Sequence, residues 1–184
     1  VGTLQIDAGG NILIQDEANA PAAADTVING RVRTTGGTAA ITITAEQDVL
    51  FGADGDVNGV GGTVTVTADT RAGANGGQID MDAGTTINAG SGLIDLNADG
   101  NIDLTGLITT TEVQVTTDNG AITDAGDTNT DITAATAALR ALTGIGSDAN
   151  DLDTAANGAS FTVAAVTESG GIHLSNTGAL IVNT

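Results

Sequence analysis

Cysteine, lysine, tyrosine and tryptophan are all missing from the 184 residues, and phenylalanine occurs only twice. Without cysteine there is neither a disulfide framework nor a thiolate metal site. Aromatic rings normally supply much of the bulk of a compact core. Here Ile, Val, Leu and Ala must fill the interior, which favours a thin and regular one. The cations are four arginines, Arg31, Arg33, Arg71 and Arg140, against nineteen Asp and four Glu, a net charge of −19. Nucleic-acid binding needs clustered basic residues, so nucleic acid is excluded as the expected partner, and so is an anionic membrane surface. No apolar run is long enough to insert in a bilayer, and neither a signal peptide nor an initiator methionine is present. The expectation is a segment of a longer or processed chain. Acidic chains poor in aromatics often stay disordered, but 40% of this one is hydrophobic, and those residues are placed in order.

What is present in quantity is glycine (27) and threonine (30). Short pieces recur, most of them led by glycine: "GNILIQ", "GTAAITIT", "GGTVTVTADT", "GGQIDMD", "GLIDLN", "GNIDLTG", "GGIHLSN", "GALIVNT". Apolar and polar residues alternate within each. Thr63-Val64-Thr65-Val66-Thr67 sets both valines on one face and three threonines on the other. That is the period-2 pattern of a strand with one buried face, and β-branched residues suit it. Ile79, Ile87, Ile94 and Ile102 follow at steps of 8, 7 and 8, and Ile41 to Val64, Val64 to Ile87 and Ile79 to Ile102 are each 23. Evenly spaced strands also suit an antiparallel sandwich. Hairpins, however, expect longer strands and two-residue turn pairs, whereas these strands are four or five residues with links of two or three. The spacing predicts an all-β chain, a parallel β-helix (β-solenoid) of about seven or eight coils of roughly 23 residues, in which each coil buries its apolar face by stacking on the next.

Three segments break the rhythm and are expected as loop excursions: 15–31, which holds the single proline Pro21, then 52–62, and 123–158. Within the last, "ITAATAALRAL" is read as an extended strand in preference to a helix. The whole of 1–184 is taken as one solenoid segment. Joining Thr184 to Val1 of an identical copy preserves the rhythm, since Leu180 to the next Leu4 is 8 residues and Leu4 to Ile12 is 8 again. Tandem copies or direct continuation are therefore expected, with self-association carried by Val1, Leu4, Ile6, Leu180 and Val182.

"GGNILIQ", "GGTVTVTA", "GGQIDMDAGTTINAGSGLIDLNADGNIDL" and "GGIHLSNTGALIVNT" resemble the repeats of filamentous-haemagglutinin-like giant bacterial surface proteins. Residues 142–180, from a "GIG" turn through "LDT" to "GGIHLSN", look like a recurring passage of that group. The resemblance spans most of the chain through short motifs. It implies a right-handed coil, export to the extracellular space or cell surface, and a stalk, filament or adhesive role. It brings no catalytic residue with it.

Candidate chemistry is sparse. Asp54-x-Asp56-x-Asn58-Gly59 places oxygen ligands at alternate positions before a glycine, like the first half of a calcium loop. The twelfth position is Thr65 instead of a bidentate Glu, so an ordinary acidic turn is the favoured reading. Asp80 and Asp103 lie 23 apart at outward positions and should stack at about 4.8 Å. A cation bridging such a ladder is the sharper hypothesis, and solvated, screened carboxylates are the simpler one. Asp82 is expected beside Thr105. Ca2+ at these positions is the one cofactor considered. The clusters Asp124, Asp127, Asp131 and Asp148, Asp151, Asp153 are weaker candidates, and His173 between Ile172 and Leu174 is expected to point outward. Parallel β-helices also host polysaccharide-active enzymes, but those need basic groups and aromatic platforms that this chain lacks, and no pair of carboxylates stands out. The expected function is a structural repeat of an extracellular filament or giant surface protein, with copies of itself as partner. The alternative is an adhesive or spacer stalk binding glycan, cell surface or neighbouring filaments. An enzyme comes third.

Overall fold

The computed structural model describes residues 5–16, 24–70 and 76–183. These residues form 22 strands and no helix. The first face stacks β1 (Ile6–Ala8), β4 (Val32–Thr34), β7 (Val57–Asn58), β10 (Ile87–Gly90), β13 (Leu107–Thr109), β16 (Ile132–Ala134), β19 (Leu152–Ala156) and β21 (Leu174–Thr177). The second stacks β2 (Ile12–Gln15), β5 (Ile41–Thr44), β8 (Val64–Thr67), β11 (Ile94–Ala98), β14 (Glu112–Thr117), β17 (Thr136–Ala141), β20 (Phe161–Thr167) and β22 (Leu180–Val182). The third stacks β3 (Thr26–Ile28), β6 (Val49–Phe51), β9 (Ile79–Met81), β12 (Ile102–Leu104), β15 (Ala121–Asp124) and β18 (Gly144–Ile145), and a bridge from Ile145 to Ile172 continues it. Neighbours within each face are parallel. The chain visits the faces in the same order on every circuit. The result is a parallel β-solenoid of about seven turns, each about 23 residues, as the spacing predicts.

The alternation explains why these segments are strands. On the second face Ile12, Ile41, Val64, Ile94, Val113, Ala137 and Val163 stand in one register column, and none is more than 7% exposed. Leu13, Thr42, Thr65, Asp95, Gln114, Ala138 and Ala164 form the adjacent outward column. A slip of one residue would exchange the two columns and put Asp95 in the core. Each fully buried Ile, Val or Leu stabilises the fold by about 1.5–3 kcal/mol. The two phenylalanines, Phe51 and Phe161, are both buried and are the largest side chains inside.

Three expectations need correction. Val64 pairs with Ile94, while Ile87 pairs with Val57 and Leu107 on another face. Coil length varies because corners absorb extra residues: the coil from Val64 to Ile94 takes 30, and that from Ile94 to Val113 takes 19. Second, the segments expected to leave the coil carry strands of it. Residues 15–31 contain β3, 52–62 contain β7, and 123–158 contain the end of β15 and all of β16, β17, β18 and β19. Alanines at inward positions (Ala134, Ala137, Ala141) mask the apolar alternation there, and "ITAATAALRAL" is extended as expected. Residues 17–23, Pro21 among them, lie outside the described residues. Third, threonine is not confined to the outside. Thr34, Thr85, Thr105, Thr109, Thr117 and Thr154 are buried. Five of them have hydrogen-bond partners, as where Thr109 Oγ1 donates to the Gly92 carbonyl at 2.6 Å and Thr105 Oγ1 to the Thr85 carbonyl at 2.7 Å. Gly92 itself lies so close to the coil below that a Cβ there would collide with the Gly62 carbonyl.

The ladder gives a direct stability test. Leu96→Ala, at a position with no exposure, is expected to cost about 2–5 kcal/mol. Thr65→Ala, on the outward column, should change stability by less than about 0.5 kcal/mol. Denaturant unfolding of the two variants measures the difference.

Candidate functional site: acidic clamps at the coil corners

One polar device recurs on all three faces. The residue directly before the first inward residue of a strand is often Asp or Asn. Its side-chain oxygen accepts the backbone N–H of the equivalent residue one coil further on. Asn11 takes the N–H of Ala40 at 2.9 Å, Asp25 that of Asp48 at 3.2 Å, and Asp48 in turn that of Gln78 at 2.8 Å. Asp56 takes both the N–H and the hydroxyl of Thr86, at 2.9 and 3.0 Å. Asn101 takes the N–H of Ala121 at 3.0 Å, and Asp131 that of Asp153 at 2.7 Å. At a corner the main chain turns away from the ladder, so this N–H needs an acceptor from a side chain. The sequence carries the signal as Asx immediately before the first inward residue: Asn11-Ile12, Asp25-Thr26, Asp48-Val49, Asp56-Val57, Asn101-Ile102 and Asp131-Ile132. Reading the acids as turns and cation ligands overlooks it.

This device reassigns the calcium-loop candidate. Asp56 is a clamp on Thr86. Asn58 lies on β7 in register with Arg33 and Asn88. Asp54 sits in the turn before them and shares a shallow depression with Arg31, whose guanidinium also lies 3.7 Å from Asp7. Among the described residues no group of three or more His, Asp or Glu side chains is arranged to hold a metal ion.

Asp80 and Asp103 are in-register neighbours on the third face, as the spacing predicts. Their column is short. Leu50 lies on one side of Asp80, and Thr123, whose hydroxyl bonds Asp103, lies beyond Asp103. Partial desolvation raises the exposed Asp80 carboxyl above its usual range, and Asp103, Asp82 and Asp48 add to the rise in that order. Thr105 does not stand beside Asp82. It turns into the core to meet Thr85, whose own hydroxyl donates to the Asp82 carbonyl at 2.9 Å.

Several of the remaining charged groups have partners. His173 is half-buried, with Nδ1 3.2 Å from Asp148. Arg140 lies between Asp118 at 2.7 Å and Glu168 at 3.9 Å. Asp124 and Asp127 bond the backbone of their own turn, to Gly126 and Asn129. Asp131 is fully buried, and burial pushes its carboxyl up to about 7. Of the self-association candidates, Val1 and Leu4 lie outside the described residues. Ile6 is half-buried on β1, and Leu180 and Val182 on β22 are 42% and 70% exposed. They continue the inward columns of Phe161 and Val163.

No family model, curated protein or solved structure matches this chain.

Three variants probe these carboxylates. Asp48→Ala leaves the exposed Gln78 N–H to water and is expected to cost about 0.5–1.5 kcal/mol, whereas Asp48→Asn, which keeps an acceptor, should cost less. The folded-state pKa of Asp80 is raised, so its contribution is full below the unfolded value of 3.8 and declines as pH rises through the folded value. Asp80→Asn should therefore stabilise the protein near neutral pH, by at most about 0.5 kcal/mol because the group is exposed and screened. That gain should vanish in acid. Thermal melts at both pH values measure it.

Proposed function

We propose that this chain is a structural repeat of an extracellular filament or giant cell-surface protein, extended by end-to-end stacking of strands. The observation that carries this reading is the repetition of the inward columns. Three parallel faces run through about seven turns with the same inward columns, so adding coils lengthens the rod along one axis. Backbone hydrogen bonds and apolar columns both continue along one axis, and a further copy of the chain is the partner whose edge matches. The acidic and threonine-rich exterior keeps such a rod soluble and discourages lateral collapse. The role is architectural rather than catalytic. Asp25, Asp48, Asp56 and Asp131 are occupied in holding one coil to the next.

A stalk that also adheres is the second reading. A shallow, partly apolar depression on the outer side of the second face favours it. Gln114, Ala138, Ala164 and Val166 line the depression, and Val166 is 55% exposed.

Negative-stain imaging of native material with intact-mass measurement tests the first reading. Rods of constant width are expected, with an axial repeat of roughly 35 Å from seven turns at about 4.8 Å. Isolated short particles at every concentration would sink it. Binding of the same material to glycans or cell surfaces would favour the second reading.

A further inference from the structure

Asp131 differs from the other clamps in its surroundings. It has no solvent exposure, whereas Asp25 is exposed and Asp48 and Asp56 are half-buried. Oδ2 accepts the Asp153 N–H at 2.7 Å, while Oδ1 is buried with no hydrogen-bond partner. The backbone carbonyl of Asp131 accepts the Leu107 N–H at 2.7 Å. One residue thus ties together three successive coils, through β13, β16 and β19.

The charges that bear on this carboxyl are all negative. They are Asp124 at the end of β15, Asp127 in the turn that follows, and Asp153 on β19. The neighbouring strand β13 carries no charged residue, and β14, which also packs against β16, carries only Glu112, again an acid. A carboxylate placed here would be desolvated and would face three like charges, which together outweigh its stronger bond to the Asp153 N–H. A neutral carboxyl keeps the Asp153 bond through one oxygen and buries no charge.

We propose that the Asp131 clamp is a proton-operated latch between the sixth and seventh coils, closed while the carboxyl is neutral and loosened when it ionises. Burial is the main cause of its raised pKa of about 7. The three carboxylates add to the rise, and the Asp153 N–H opposes it. Because the folded value lies above the unfolded 3.8, the contribution of the latch is full below the unfolded value. It falls as pH rises and levels off above the folded value. The coil that begins at Leu152 should therefore open more readily in alkali, although its other contacts are unchanged.

Amide hydrogen exchange of Asp153 in the full chain, corrected for the intrinsic pH dependence of exchange, reads the latch directly. Protection is expected to fall by more than about tenfold between about pH 5 and about pH 8, since each pKa unit corresponds to about tenfold. Constant protection would overturn the proposal. Asp131→Asn keeps an acceptor but cannot ionise, so its protection should be flat with pH. Retention of the wild-type fall in that variant would also overturn the proposal. Asp124→Asn should keep the fall and move its midpoint to lower pH, which a purely structural role would not produce. Should Asp131→Asn fail to fold, the carboxyl carbon shift of Asp131 in the wild-type chain decides the matter. A midpoint in the ordinary Asp range would refute the latch.

Discussion

Every strand in this molecule depends on the coil next to it. A strand of three or four residues has almost no stability alone, because its backbone groups are unmet and only every second side chain is apolar. Stacked in parallel, the same strand shares its hydrogen bonds with both neighbours and sets its inward residue against an identical position above and below. Ile41 is satisfied this way between Ile12 and Val64, as is Ile94 between Val64 and Val113. The composition follows from that geometry. A narrow interior of Ile, Val, Leu and Ala columns has little use for aromatic rings, and the sequence supplies two phenylalanines where a globular core would hold many more.

The corners pose the complementary problem. There the chain must turn without leaving its amides unpaired, and the structure answers with side chains. Asx residues accept the N–H of the next coil, and inward threonines donate to carbonyls of the coil below. These polar contacts give a chemical reason for many of the acids. A carboxylate that accepts a backbone N–H at each of several corners also keeps charge on the outer rim of the rod. Arg31, Arg33 and Arg140, the described arginines, reach toward other acids, Asp7 and Asp118, and leave the corner clamps to the backbone.

The strands were legible because alternation is local: Thr63 to Thr67 can be read without knowing what lies above it. The coil length was legible where corners are of ordinary size, as from Ile41 to Val64 and from Ile79 to Ile102. It misled from Val64 to Ile87, because a lengthened corner shifts the count while leaving the strands unchanged. The region 123–158 read as loop since alanine and threonine occupy inward positions there, and a small buried residue leaves a weak hydrophobic signal. The clamps were present in plain view as Asp-Val and Asn-Ile pairs. Their meaning depends on a partner one coil away, which single-sequence periodicity does not reveal. The burial of Asp131 is of the same kind, since it arises from the packing of three coils and not from its neighbours in sequence.

The unequal coil lengths have a consequence of their own. Between 19 and 30 residues complete a circuit, yet the advance along the axis is fixed by hydrogen-bond spacing at about 4.8 Å. Pitch and perimeter are thus uncoupled. Residues added between strands lengthen a circuit and leave the distance between the ends of the rod untouched. A molecule built on this plan can acquire lateral features one corner at a time while remaining a ruler of constant gradation.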